Sequence, residues 1–389
     1  MRFRFGKVIM VLAVAGIVTA CNKSVDTSAP DKLVRDGVQK LWTQDAKFNF
    51  SGSVKLDASA KNSKNDKVST AKGNSASETL AGSDANIELQ LQQQHVFKQY
   101  KDIFSLISNS FTILYTGGVD WPKGKVEIIP EYRYEAKNAL VSFKFPVQFD
   151  INKLKVFIDA SAINNVSDSI LKQIDPTKVV GDRYVTLAAP QDVVKRLPFS
   201  DLLKNFPQAL DDGFASVDAK SFSKVSVDDY GKKVNAKYQV KLTTNGKENI
   251  KTTIAILDSL SKALQQQGQV AATKKGQYQQ QDYAVLQQFI DRINGSYKQQ
   301  FNDNSQQNPY AEYLKQMEKM PMVYNYYFDD KGRIIALQGN LQLIAAPYNP
   351  FGANLFVIFE QKIDYSTPKF IMEPTEQNTF DISSQLGLY

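Results

Sequence analysis

The sequence predicts an α+β fold: a long, curved antiparallel β-sheet, a half-barrel, covered by helices on its concave face. Three observations carry this. Apolar and polar residues alternate strictly in four separate stretches, the period of a strand with one buried face. Each stretch runs nine residues, where a mean strand has ~5–6. Long one-faced strands make a tall sheet whose apolar side needs a cover. Apolar residues at helical spacing, such as Tyr283, Leu286, Phe289, Ile290, Ile293 and Tyr297, supply the elements that can cover it.

The first element in chain order belongs to none of these. Arg2, Arg4 and Lys7 precede an apolar run over residues 8–18, and Thr19 and Ala20 lead to Cys21, the only cysteine. A positive n-region, an apolar core of this length and small residues before a cleavage point are the parts of an export signal. The run is too short to span a bilayer, which takes ~20 apolar residues. Val18-Thr19-Ala20-Cys21 resembles the lipobox of bacterial lipoproteins. The resemblance implies that residues 1–20 are cleaved and that Cys21 becomes the acylated first residue of the mature chain. Asn22 stands where an Asp would imply inner-membrane retention, so the family rule implies the outer membrane, facing the periplasm.

With its one thiol acylated, an exported chain has no disulfides, and packing must hold the fold. Loss of Arg2, Arg4 and Lys7 lowers the formal charge from +7 to +4. That balance suits solubility and suggests no nucleic-acid partner.

Residues 21–45 read as the lipidated cysteine, a polar tether containing Pro30 and a short amphipathic helix over about 33–42. Residues 46–389 read as a single domain. Its strands show in Phe48, Phe50, Gly52, Val54 and Leu56, then in Val141, Phe143, Phe145, Val147 and Phe149. They recur in Val234, Ala236, Tyr238, Val240 and Leu242, and in Ile335, Leu337, Gly339, Leu341 and Leu343. Helices are expected over 97–107, over 193–210 with breaks at Pro198 and Pro207, over 249–264, and around Tyr310 to Met317. "DDKGR" at 329–333 is a hairpin turn. Two polar segments, the insert 59–78 and the Gln-rich 265–281, are expected to be loops.

Catalytic chemistry has few places to reside. His95 is the only histidine, so no site can use two imidazoles. S-x-x-K begins at Ser169, Ser221 and Ser259 among other places, as a composition rich in both residues produces, and it lacks its companion motifs. "GGVDWPKGK" at 117–125 misses the phosphate-loop spacing and reads as a turn over Trp121. Asp211–Asp212 and Asp228–Asp229 lie beside glycines, as turn residues do. No metal site, cofactor or catalytic residue is expected.

The aromatic content remains, 23 Phe and 18 Tyr against two Trp. "VYNYYFDD" at 323–330 and "LFVIFE" at 355–360 put apolar residues on both faces of a strand. Such a strand is sandwiched in the core or lines a cavity. If a cavity, Tyr324, Tyr326, Phe328, Leu341, Leu343, Phe356 and Ile358 are its candidate walls. The order of elements over about 182–374, with "KYQVKLTTNGK", helices, "YNYYFDDKGRIIALQGNLQL" and "NLFVIFEQKIDYSTPKFIMEP", resembles the LppX/LprG-type lipoproteins related in fold to LolA and LolB. The resemblance implies a half-barrel closed by helices around an apolar cavity that carries lipids or lipoproteins. Residues 59–78 and the Gln-rich segment depart from that pattern. The expected function is therefore non-enzymatic binding of an acyl chain, lipid or lipoprotein by a membrane-anchored protein. An envelope assembly protein with a filled core is the alternative, and a carboxylate-dependent envelope hydrolase the third.

Overall fold

The computed structural model of the chain describes residues 29–57, 111–163, 183–274, 276–301, 315–344 and 355–383. Cys21, His95, the polar insert 59–78, the expected helix 97–107 and Tyr310 lie outside them. Among the described residues the fold is α+β, with one unclosed, curved sheet of thirteen strands and helices packed on it.

The strands are β1 (Lys47–Asp57), β2 (Phe111–Asp120), β3 (Lys125–Ala136), β4 (Ala139–Lys144), β5 (Val147–Asp150), β6 (Lys155–Ile158) and β7 (Tyr184–Ala188). They continue as β8 (Phe222–Val225), β9 (Tyr238–Asn245), β10 (Pro321–Phe328), β11 (Ile334–Ile344), β12 (Leu355–Asp364) and β13 (Thr379–Asp381). The sheet order is β13-β7-β6-β5-β3-β2-β1-β12-β11-β10-β9-β8, with β4 paired to β3 off this path. Only β13 on β7 is parallel. β4 and β5 share one register on β3, Glu131 facing Lys144 and Ile128 facing Val147. They are the one strand the alternation predicts, interrupted at Pro146, which has no N–H to give to a ladder.

The short amphipathic helix expected over about 33–42 is α1 (Pro30–Thr43), and it lies on the sheet. Leu33, Val34 and Val38 pack with Val240, Leu242, Tyr326, Phe328 and Ile334. One turn on, Leu41 and Trp42 pack with Phe48, Phe50 and Val119. Fully burying each such Leu or Val stabilises by ~1.5–3 kcal/mol. Gly37 permits the close approach, since a Cβ there would lie 2.7 Å from the Phe328 ring. Trp121, in the turn after β2, meets Trp42 edge-on at 4.4 Å.

Beyond α1 come α2 (Gln191–Arg196), α3 (Phe199–Ala215), α4 (Asp229–Lys233), α5 (Gly246–Thr273) and α6 (Gln280–Gln300). Arg35 of α1 grips Asp211 of α3 through two bonds of 2.6 and 2.7 Å. Leu257, Leu260 and Leu264 of α5 pack with Tyr283, Leu286 and Ile290 of α6 and with Ala209 of α3. This helical core stands largely apart from the one under α1.

Four expectations are corrected. The Gln-rich 265–281 is mostly helical: α5 runs through it to Thr273 and α6 begins at Gln280. Gln is a good helix former, and buried Gly268 brings α5 close to Tyr283 of α6. Val234 and Ala236 are not in a strand, because α4 ends there and Asn235 turns the chain at φ 61° before β9 starts. Pro207 lies inside α3 and does not interrupt it, whereas Pro198 does separate α2 from α3. Asp211 and Asp212 are helical, not turn residues.

The chain after β12 crosses the face of the sheet opposite α1. Buried Glu127 of β3 fastens it, accepting from the N–H groups of Ile371 at 2.7 Å and Met372 at 2.9 Å. Gln148 donates to the same carboxylate at 2.8 Å and to the Met372 carbonyl at 3.0 Å.

Candidate functional site: an apolar trough on the inner sheet face

Residues directly opposite on antiparallel strands share a face, so the register assigns every side chain. On the face that carries α1, Phe48 meets Val119, Phe50 meets Gly117, Gly52 meets Tyr115 and Val54 meets Ile113. The apolar series continues through Phe111 and Tyr134, Ile113 and Tyr132, Tyr132 and Phe143, and Tyr134 and Val141. The inner face is thus apolar along its length, but α1 covers only one end.

At the other end, where β1 stops at Asp57 and β2 starts at Phe111, the sheet keeps its apolar side chains without that cover. Phe111, Tyr132, Tyr134, Val141 and Phe143 line an open depression of about 380 Å³. Tyr132 stacks on Phe143 at 4.9 Å, and Phe111 sits against Tyr134 at 5.2 Å. Phe111 and Phe143 are each 44% exposed and Val141 59%. Scattered exposed apolar residues are ordinary, but a contiguous aromatic patch marks a contact site.

Cross-strand glycines shape the floor between covered and open ends. The Phe50 ring lies over Gly117, the Tyr115 ring over Gly52 and the Phe359 ring over Gly339, each so close that a Cβ would collide. The rings lie flat along the sheet, which keeps the trough shallow.

The opposite face is polar and hydrogen-bonded. Tyr327 OH reaches Asp228 Oδ2 at 2.9 Å, and Gln239 Nε2 donates to the same oxygen at 3.0 Å. Burial raises the Asp228 carboxyl, but bonds from the Gly231 N–H, Tyr327 and Gln239 outweigh it and leave it below the usual range. Nearby, burial chiefly pushes the Tyr230 phenol up to about 12. Asp228 caps α4, and Asp211 is committed to Arg35, so neither forms a paired carboxylate site.

The seven expected wall positions separate. Tyr326 and Phe328 are on the inner face but buried beneath α1. Tyr324 and Leu341 share that face, opposite Gly339 and Met322 respectively. Leu343 falls where the register of β11 on β12 shifts, between Gln342 and Ile344, and is exposed. Phe356 and Ile358 lie on the polar face, opposite Asp57 and Lys55. The cluster 323–328 is sandwiched core, with Tyr327 facing the polar side. The trough instead uses Phe111, Tyr132 and Tyr134, which the expected walls omit. Their signal was the same alternation, in "FTILY" and "PEYRYEA".

No protein-family model, curated protein or solved structure matches the chain.

Proposed function

We propose that this chain is an envelope lipoprotein, anchored through acylated Cys21 and facing the periplasm, that binds the apolar chain of a lipid in the open trough and catalyses no reaction. One observation carries the reading: aromatic and aliphatic side chains, Phe111, Tyr132, Tyr134, Val141 and Phe143, converge on an open depression that no described helix covers. Its volume of about 380 Å³ is at the lower end of ligand sites, ~300–1,000 Å³, and suits one chain rather than a whole lipid. Packing on flat aromatic faces needs no chemistry from the protein. The lipobox resemblance at Val18 to Cys21 supports the anchor, and no helix among the described residues is long and apolar enough to cross a membrane.

The envelope assembly reading keeps one specific support, the filled core around Tyr326, Tyr327 and Phe328. In that reading the same aromatic patch meets a protein. Native mass spectrometry of the chain from Asn22, exported behind a cleavable signal, separates the two. Adducts at fatty-acid or phospholipid masses that disappear in Phe143→Arg are the expected result. A bare mass that takes up no added lipid sinks the lipid reading and leaves the assembly protein. For the anchor, a clickable fatty acid fed to cells labels the wild-type chain and not Cys21→Ser.

A further inference from the structure

Among the described residues the sheet has one exposed edge that its own design does not blunt. Its two ends, β8 and β13, are four and three residues long. Short edge strands are a standard protection against strand addition. The six-residue β4 is different: every residue is exposed, among the described residues it pairs only with β3, and between Ala139 and Phe143 it carries neither proline nor charge.

The phase of its backbone groups follows from two bonds. Phe145 N donates to Pro130 O at 2.9 Å, and Asp159 N donates to Pro146 O at 2.9 Å. Odd residues of this strand therefore turn their N–H and C=O to β3, and even residues turn theirs outward. On β4 the outward groups belong to Leu140, Ser142 and Lys144. Asp159, bonded at Pro146, closes the edge on that side.

We propose that β4 pairs antiparallel with β4 of a second copy of this chain, about a two-fold axis at Val141. In that register Leu140 exchanges backbone hydrogen bonds with Ser142 of the second copy, and the reverse. The turn at Lys137 and Asn138 then stops short of Asp159 of the second copy. Val141 meets itself, and Phe143 lies over the small Ala139, the large-against-small pairing that the sheet already uses at Gly117 and Gly339. Lys144 faces Asn138 in the turn of the second copy rather than its own counterpart. Such a contact is isologous and closes on itself. It joins the two inner faces into one continuous apolar surface, though the pairing does not depend on what that surface binds.

Size sets the strength. Leu140, Val141 and Phe143 are 62%, 59% and 44% exposed. With an aromatic side chain presenting ~150–250 Å² and the aliphatic ones less, two copies cover at most roughly 600 Å², the range of weak and transient contacts. The dimer therefore forms with rising concentration.

The test uses the chain from Asn22, which has no cysteine. In the proposed register Val141 and its copy are a non-hydrogen-bonded pair with Cα atoms ~4.5 Å apart, within the ~4.4–6.8 Å that a disulfide spans. Val141→Cys is expected to give a covalent dimer under mild oxidation, while Leu140→Cys and Lys144→Cys do not. Ser142→Pro removes an outward N–H that β3 does not use, so it is expected to abolish the dimer with circular dichroism unchanged. Analytical ultracentrifugation showing only monomer at ~1 mM, where contacts of even millimolar Kd populate, overturns the proposal. Cross-linking at Leu140→Cys or Lys144→Cys in place of Val141→Cys overturns it too.

Discussion

Asp228 shows how much one side chain does on the polar face. It caps α4 through the Gly231 N–H at 2.7 Å and gathers Gln239 and Tyr327. Because its folded pKa is lowered, its ionised form contributes stability that is complete above the ordinary carboxylate range. That contribution is lost as pH falls through the folded value. Asp228→Asn is expected to cost ~1–2 kcal/mol at neutral pH, in urea melts, with the gap to wild type closing as the pH falls below the ordinary carboxylate range. A gap independent of pH would mean that the charge plays no part. Asp36 and Asp45 have the opposite sign, since burial, the largest cause, raises them, and they gain nothing from ionisation. None of this was legible in the sequence beyond the Asp-Asp-x-Gly string. A helix cap and a turn use the same residues, and only Gln239 and Tyr327, distant in sequence, give Asp228 its partners.

At the scale of strands and helices the alternation was a good guide, and its glycines were informative. Gly52 and Gly339 fall in the apolar phase, where an aromatic ring from the neighbouring strand lies over each. Gly339→Ala would drive a methyl into the Phe359 ring, a cost of ~1–3 kcal/mol for overpacking. Thermal denaturation is expected to show the loss and to show Phe359→Leu restoring part of it in the double variant. A Gly339→Ala protein as stable as wild type would mean the ring moves aside freely. The elements misread were those in which polarity and structure part company. The Gln-rich segment looked unpacked because a helix that buries only Leu264 and Gly268 of its last three turns needs few apolar residues. Residues 234–236 looked like strand because alternation does not record the backbone reversal at Asn235.

Among the described residues, the core under α1 and the core between the helices are joined by the Arg35–Asp211 pair and the packing of α1 on α3, with α5 and α6 resting mainly on α3 and on each other. Such an arrangement opens in parts. Leu264→Ala, at a fully buried position, is expected to speed amide exchange in α5 and α6 while leaving β1 and β12 unchanged. Uniform acceleration would mean that the chain unfolds as one unit. The sheet, its length and its helical cover were foreseeable from periodicity. The strand order was not, because alternation identifies a face and says nothing of neighbours, and so the trough could not be placed.

That order governs when the protein can fold. The central seam joins β1 to β12, so Asn49 finds its partner Asp364 more than three hundred positions later. The strands from β2 to β7 lie on one side of this seam and those from β8 to β11 on the other. Each side can form hairpins early, but the middle of the sheet must wait until residue 364 is available. Pairings of such long range are slow. A ribosome that has not yet passed residue 364 has therefore made the strands of two half-sheets without the seam that joins them.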